Sequence, residues 1–106
     1  MEGIGRFLTF LGVNTTPLVE GQDLNSLTFT SGRRLYTYYS PGKSISETLV
    51  NIPTGISSGF TMFVLAPYGA VSYHTQLIIS FNQIFIRHNS LSYYSAWKEV
   101  NTTALT

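Results

Sequence analysis

The residues in this chain whose type could hold a metal are His74 and His88. They stand on either side of a segment read as a hairpin, a placement that does not by itself bring them together. One aspartate and four glutamates leave a third ligand in short supply. Both histidines are therefore read as structural, and no metal site and no cofactor are assigned. Hydrolysis by paired carboxylates would have to draw on Glu2, Glu20, Asp23, Glu47 and Glu99, which are scattered over termini and loops. Serine is abundant, but no Gly-x-Ser-x-Gly elbow occurs, and neither Gly55 nor Gly59 is followed by the lysine and helix of a phosphate loop. No catalytic residue is assigned, and the chain is read as a non-enzyme.

Binding chemistry is better represented. Tyr36, Tyr38, Tyr39, Tyr68, Tyr73, Tyr93 and Tyr94 each join an apolar ring to a polar tip, the combination that stacks on sugar rings or presents rigid recognition area. The competing reading is that most of them are strand residues packing a core, since β-structure enriches tyrosine. Residue type and position at strand ends select Tyr38, Tyr68, Tyr73, Arg87, Tyr93 and Tyr94 as candidate ligand contacts. Arg33 and Arg34 would fall on opposite faces of a strand and so form no single anionic site; they read as edge charges that discourage sheet-to-sheet pairing. The acceptor patterns Asn14-Thr15-Thr16 and Asn101-Thr102-Thr103 are common by chance and carry no weight.

Composition restricts the partners. With 106 residues, a net charge of +1 and basic residues dispersed apart from Arg33-Arg34, the chain lacks the electrostatic footprint of nucleic-acid binding. Little net charge keeps copies apart, which favours self-association. The absence of cysteine rules out disulfides and thiolate metal sites. The apolar run Phe7 to Val13 is too short to span a membrane, and the start lacks the pattern of a signal peptide, so membrane insertion and export by that route are not expected.

These side chains need a β scaffold. Arg33 to Ser40 alternates two faces with three tyrosines, and Pro41-Gly42 ends it. Phe60 to Ala66 is a nearly continuous apolar run, expected as a central strand covered on both faces. Tyr73–Ser80 and Gln83–Arg87 form an expected antiparallel hairpin turning at Asn82. Asp23 to Leu27 is expected as one helical turn capped by Asp23, tucking Leu24 and Leu27 under the sheet. Lys43 to Gly59 reads as loop in which Thr48-Leu49-Val50 pairs briefly. Trp97, after Tyr93-Tyr94, is expected to close one side of the core. That core is expected to gather Leu35, Phe60, Met62, Val64, Leu77, Ile79, Ile84, Ile86 and Trp97. Residues 1–20 read as a connector or a first strand, and 21–106 as the β domain, with 101–106 frayed.

The order of these features resembles the pyocin-knob type of domain of bacteriophage tail fibres and phage-tail-like bacteriocins. The resemblance covers Gly21 to Val100 and is carried by Asp23 to Leu27, Gly32 to Tyr39, Asn51-Ile52-Pro53-Thr54-Gly55 leading into Gly59-Phe60, Tyr73 to Leu77, Ile84 to Arg87, and Ser95-Ala96-Trp97-Lys98-Glu99-Val100. The family often places a second tryptophan before the Ser-x-Trp step, where this chain has Tyr93-Tyr94.

The resemblance implies a small, mainly β, antiparallel sheet or sandwich knob, part of a homotrimeric fibre in the virion, assembled in the bacterial cytoplasm and acting at the host surface. It implies a bacterial surface glycan or other receptor as ligand, and tail-fibre or baseplate proteins as neighbours. It carries over no catalytic residue. The chain would be a fibre fragment or a small fibre subunit. A trimerising connector without receptor contact and a polysaccharide-degrading accessory are the alternatives.

Overall fold

Strands form where β-branched and aromatic residues run without glycine or proline. The computed structural model describes residues 15–27, 33–56, 58–66, 73–81, 83–91 and 93–101. Among these, seven strands make one sheet: β1 (Thr15–Pro17), β2 (Leu35–Ser40), β3 (Phe60–Leu65), β4 (Tyr73–Ser80), β5 (Gln83–Ser90), β6 (Tyr93–Tyr94) and β7 (Lys98–Glu99). The order is β1-β2-β3-β4-β5-β6, and β7 also pairs with β5. Only β1 to β2 is parallel. The protein is thus mainly β and dominated by antiparallel pairing, as expected.

One face of the sheet carries the core. Tyr36 and Tyr38 of β2, Phe60, Met62 and Val64 of β3, Ile78 of β4 and Phe85 of β5 are buried there, on one side because side chains alternate along a strand. Their cover is made by the connections: Leu18, Leu24, Leu27, Leu49 and Ile56 are buried against them, and Ile45, Ile52 and Trp97 pack alongside. Trp97 does help to close the core, from its edge. Leu24, Met62 and Ile78 have no exposed surface. Truncating any of these to alanine would cost about 2–5 kcal/mol.

The expected core needs correction on the hairpin. Met62 pairs with Ile78 and Val64 with Gln76, and on the next strand Ile78 pairs with Phe85. Leu77, Ile79, Ile84 and Ile86 therefore lie on the opposite, open face, where Ile79 and Ile86 are 39% and 36% exposed, and Leu35 is only half-buried. Both faces of β4 and β5 carry apolar residues, so alternation did not distinguish them; pairing with β3 did. For the same reason β3 is not covered on both faces, since Thr61 and Phe63 are half-buried and Leu65 is exposed.

The expected turn at Asp23 forms, with the Ser26 N–H donating to Asp23 O at 3.0 Å. Asp23 Oδ1 accepts the Asn25 backbone N–H at 2.9 Å, the bond by which an N-terminal cap satisfies a free amide. Leu24 N–H donates to Val50 O and Val50 N–H to Gln22 O, an isolated parallel bridge that pairs Val50 alone of Thr48-Leu49-Val50 with Asp23, while Leu24 and Leu27 are buried under the sheet. A short helix, α1 (Lys43–Ser46), also forms at the start of the stretch expected as loop. Gly59 follows from packing: a Cβ there would lie 2.6 Å from Ser40 O. Phe81 and Leu91 open the two-residue links after β4 and β5 with φ of 44° and 61°, the left-handed start that tight hairpins demand. Asn82, the expected turn residue, lies outside the described residues.

Candidate functional site

Four of the six residues chosen by type, Tyr73, Arg87, Tyr93 and Tyr94, separate into two groups on opposite faces of one sheet end. Tyr73 pairs with Ser90, and Ser90 pairs with Tyr93, so Tyr73, Ser90 and Tyr93 form a row across β4, β5 and β6. All three are exposed, Tyr93 at 76%. The row belongs to the open face, and two strand spacings put its tyrosines about 10 Å apart. Neighbouring β-strand residues face opposite ways, so Tyr94 turns to the covered face, opposite Asn89.

Tyr94 there meets Arg87, whose guanidinium lies 4.2 Å from the Tyr94 ring centre and 4.6 Å from that of Trp97. Arg87 is 5% exposed. Its Nε donates to Gln76 Oε1 at 2.7 Å, and Gln76 Nε2 donates to Leu24 O at 2.9 Å. Burial pushes the guanidinium down to about 10, against the opposing pull of Tyr94 and Asp23, which leaves it cationic at neutral pH. Two aromatic faces and a buried amide take the place of water around this charge. Burial likewise raises the Tyr94 phenol, with Arg87 opposing. The Tyr94 hydroxyl lies 3.3 Å from His74 Nε2, and the two rings meet edge to face at 5.5 Å.

The remaining candidates stand apart. Tyr38 is 7% exposed and serves the core, so it is no contact surface. Burial raises its phenol above the ordinary range. Tyr68 lies outside the described residues. The histidines are also separated: His74 pairs with Asn89 and Thr75 with His88, which puts the two rings on opposite faces, and His74 is buried while His88 is exposed. Arg33 lies 4.8 Å from the Tyr36 ring centre. Among the described residues, no group of three or more His, Cys, Asp or Glu could hold a metal, and no helix is long and apolar enough to cross a membrane.

The two most specific parts of the sequence pattern meet in space. Trp97 Nε1 donates to Asn51 O at 2.9 Å, tying the closing segment to the 51–55 loop, and Asn51 Nδ2 donates to Asp23 Oδ1 at 2.7 Å. That bond and the Asn25 amide hold the Asp23 carboxyl below its usual range. A groove of about 420 Å³ runs between Ile52-Pro53-Thr54 and Trp97 with Glu99.

Sequence reasoning missed Gln76, which becomes significant only once register sets it opposite Arg87. It also missed Glu99 as a neighbour of Trp97 in the groove. Their two-residue spacing in an extended segment was the available signal. No protein-family model, curated protein or solved structure matches the chain, so the functional reading rests on these residues and their geometry.

Proposed function

We propose that the chain is the receptor-binding knob of a phage or prophage tail fibre, adhering to a bacterial surface polysaccharide without cleaving it. The observation that carries this reading is the row Tyr73–Ser90–Tyr93: two exposed aromatic rings flank a hydroxyl on a rigid sheet. Such rings supply apolar area at small conformational cost, and the hydroxyls between and beyond them can bond a polyol. In this reading the knob is a homotrimer borne on the virion and assembled in the bacterial cytoplasm, next to other tail-fibre or baseplate proteins. Three tethered copies would raise weak single-site binding by about 10² or more without new contacts.

The test is adhesion of the fluorescently labelled chain to bacterial cells, with purified surface polysaccharides as competitors and the mass in solution measured alongside. Saturable binding removed by one polysaccharide is expected. The double variant Tyr73→Ala, Tyr93→Ala should weaken it at least about tenfold, equivalent to about 1.4 kcal/mol, with thermal unfolding unchanged because both rings are exposed.

A second reading, an assembly domain without receptor contact, draws on the open face, where Leu65, Ile79 and Ile86 are 42%, 39% and 36% exposed. Exposed apolar side chains gathered on one face mark contacts between proteins. A multimer that binds no cell, and that Leu65→Asp dissociates, would favour that reading over adhesion.

A further inference from the structure

The groove of about 420 Å³ between the 51–55 loop and the closing segment has a volume within the range of small-molecule sites, about 300–1,000 Å³. Glu99 pairs with Phe85, so its side chain stands on the covered face, and Trp97, two residues earlier in the same extended segment, shares that face. About 7 Å of backbone separates the two. Pro53 and Phe85 are buried at the base of the groove, while Thr54, Ala96 and Glu99 are exposed at its rim. The indole is held in place, because its Nε1 donates to Asn51 O at 2.9 Å and the Arg87 guanidinium lies 4.6 Å from the ring centre. Arg87 does not line the groove, so the indole surface that does is the part the guanidinium leaves uncovered.

Glu99 is the charge of this groove, the sole ionisable group among the described residues that line it. Its Oε1 accepts from Gln83 Nε2 at 3.3 Å, a long bond from a neutral group. Among the described residues the ion pair is Lys43 with Glu47, and Glu99 meets no cation. Lys98, its neighbour in sequence, pairs with Ile86 and so stands on the open face. Arg87 is the cation nearest the ring. A ligand cation held by Glu99 at about 4 Å on the groove side of the indole would stand about twice as far from Arg87, and Coulomb energy falls with distance, so the attraction outweighs the repulsion. An acidic ligand is repelled by Glu99, and a neutral polyol can bond it without gaining from its charge.

An indole surface, a buried apolar base and one unpaired carboxylate fit a ring that is apolar on one side and carries an ammonium group. From this juxtaposition we infer that the groove binds amino-sugar units, with the pyranose stacked on Trp97, the ammonium donating to Glu99 and a ring hydroxyl meeting that of Thr54. The site is separate from the Tyr73–Ser90–Tyr93 row, which lies on the opposite face. The inference rests on the adhesive reading for its biological setting, and it names a class of unit in the polysaccharide, one that bears a free amine.

Trp97 is the only tryptophan of the chain, so its fluorescence reports on this groove. The experiment titrates the full chain with methyl glucosaminide in a mildly acidic buffer that keeps the amine protonated, with methyl N-acetylglucosaminide, methyl glucoside and methyl glucuronide as comparisons. Methyl glucosaminide should change the emission saturably, and the three comparisons should bind at least about tenfold more weakly. Glu99→Gln keeps the shape of the side chain and an acceptor for Gln83, and position 99 is exposed, so this variant should melt as the parent does and lose about tenfold in affinity for methyl glucosaminide. Equal affinity for the amine and the neutral sugars, undiminished binding by Glu99→Gln, or no saturable response would overturn the groove site, while the adhesive reading is decided separately by the cell assay and the Tyr73, Tyr93 double variant. Saturable binding of methyl glucosaminide without adhesion to cells would uphold the groove as an amine-binding site and overturn its adhesive setting.

Discussion

Arg87 is a charge held where water is scarce, and what surrounds it decides what its replacement costs. Desolvation opposes the cation, whereas two aromatic faces and the Gln76 amide oxygen favour it. Arg87→Met would relieve the desolvation but leave Gln76 Oε1 without its donor in a side chain that has no exposed surface. The second effect wins, because an unpaired buried acceptor costs about 1–3 kcal/mol. Urea unfolding should therefore show Arg87→Met less stable by roughly that amount. Arg87→Lys should recover little, since an ammonium cannot lie flat between Tyr94 and Trp97 while donating sideways to Gln76. Equal stability of Arg87→Met and the parent would show that the Gln76 bond contributes nothing net. At this scale the sequence was legible for residue type alone. Arg87 and Tyr94 were singled out together, yet the surface expected of them is a covered cluster, because burial depends on which face of β5 the cover occupies.

The connections matter as much as the strands. The 51–55 loop and the closing segment are far apart in sequence, and a single bond from the Trp97 indole to Asn51 O joins them beside the core. Trp97→Phe keeps a large apolar ring and removes that donor. It should cost about 0.5–1.5 kcal/mol, read as a lower urea midpoint, and amide hydrogen exchange should speed up in the 51–55 loop before it does in β3 or β4. Unchanged exchange in that loop would mean that the indole bond does not restrain it. Strand existence was legible here: the tyrosine-rich run became β2, the apolar run β3 and the hairpin β4–β5. The turn capped by Asp23 was legible too, whereas the short helix Lys43–Ser46 formed in a stretch expected as loop.

For the whole molecule, stability should fall at both ends of the pH scale. Burial raises Tyr38 and Tyr94 above the ordinary 10.0, so the support they give is fully present below pH 10 and is lost as pH rises through their higher folded values. Asp23 is lowered from 3.8 by its bonds from Asn51 and Asn25, so its support is present above pH 3.8 and is lost as pH falls through its lower folded value. Melting temperature followed against pH, with tyrosine absorbance recorded alongside, should show Tyr38 and Tyr94 ionising late and together with unfolding. Tyr38→Phe and Tyr94→Phe should each flatten the alkaline fall. By itself the sequence determined the class, a mainly β chain with antiparallel pairing, because period-two patterning and tyrosine, valine and isoleucine content are local properties. It also marked the tyrosines and the two segments that meet at Trp97. Only the tertiary structure decided which face of the hairpin is covered, that Gln76 lies opposite Arg87, and that Trp97 and Glu99 share a groove with the 51–55 loop. Each of these depends on strand register and on where the connections cross the sheet, and a hairpin that is apolar on both faces leaves that choice to its neighbours.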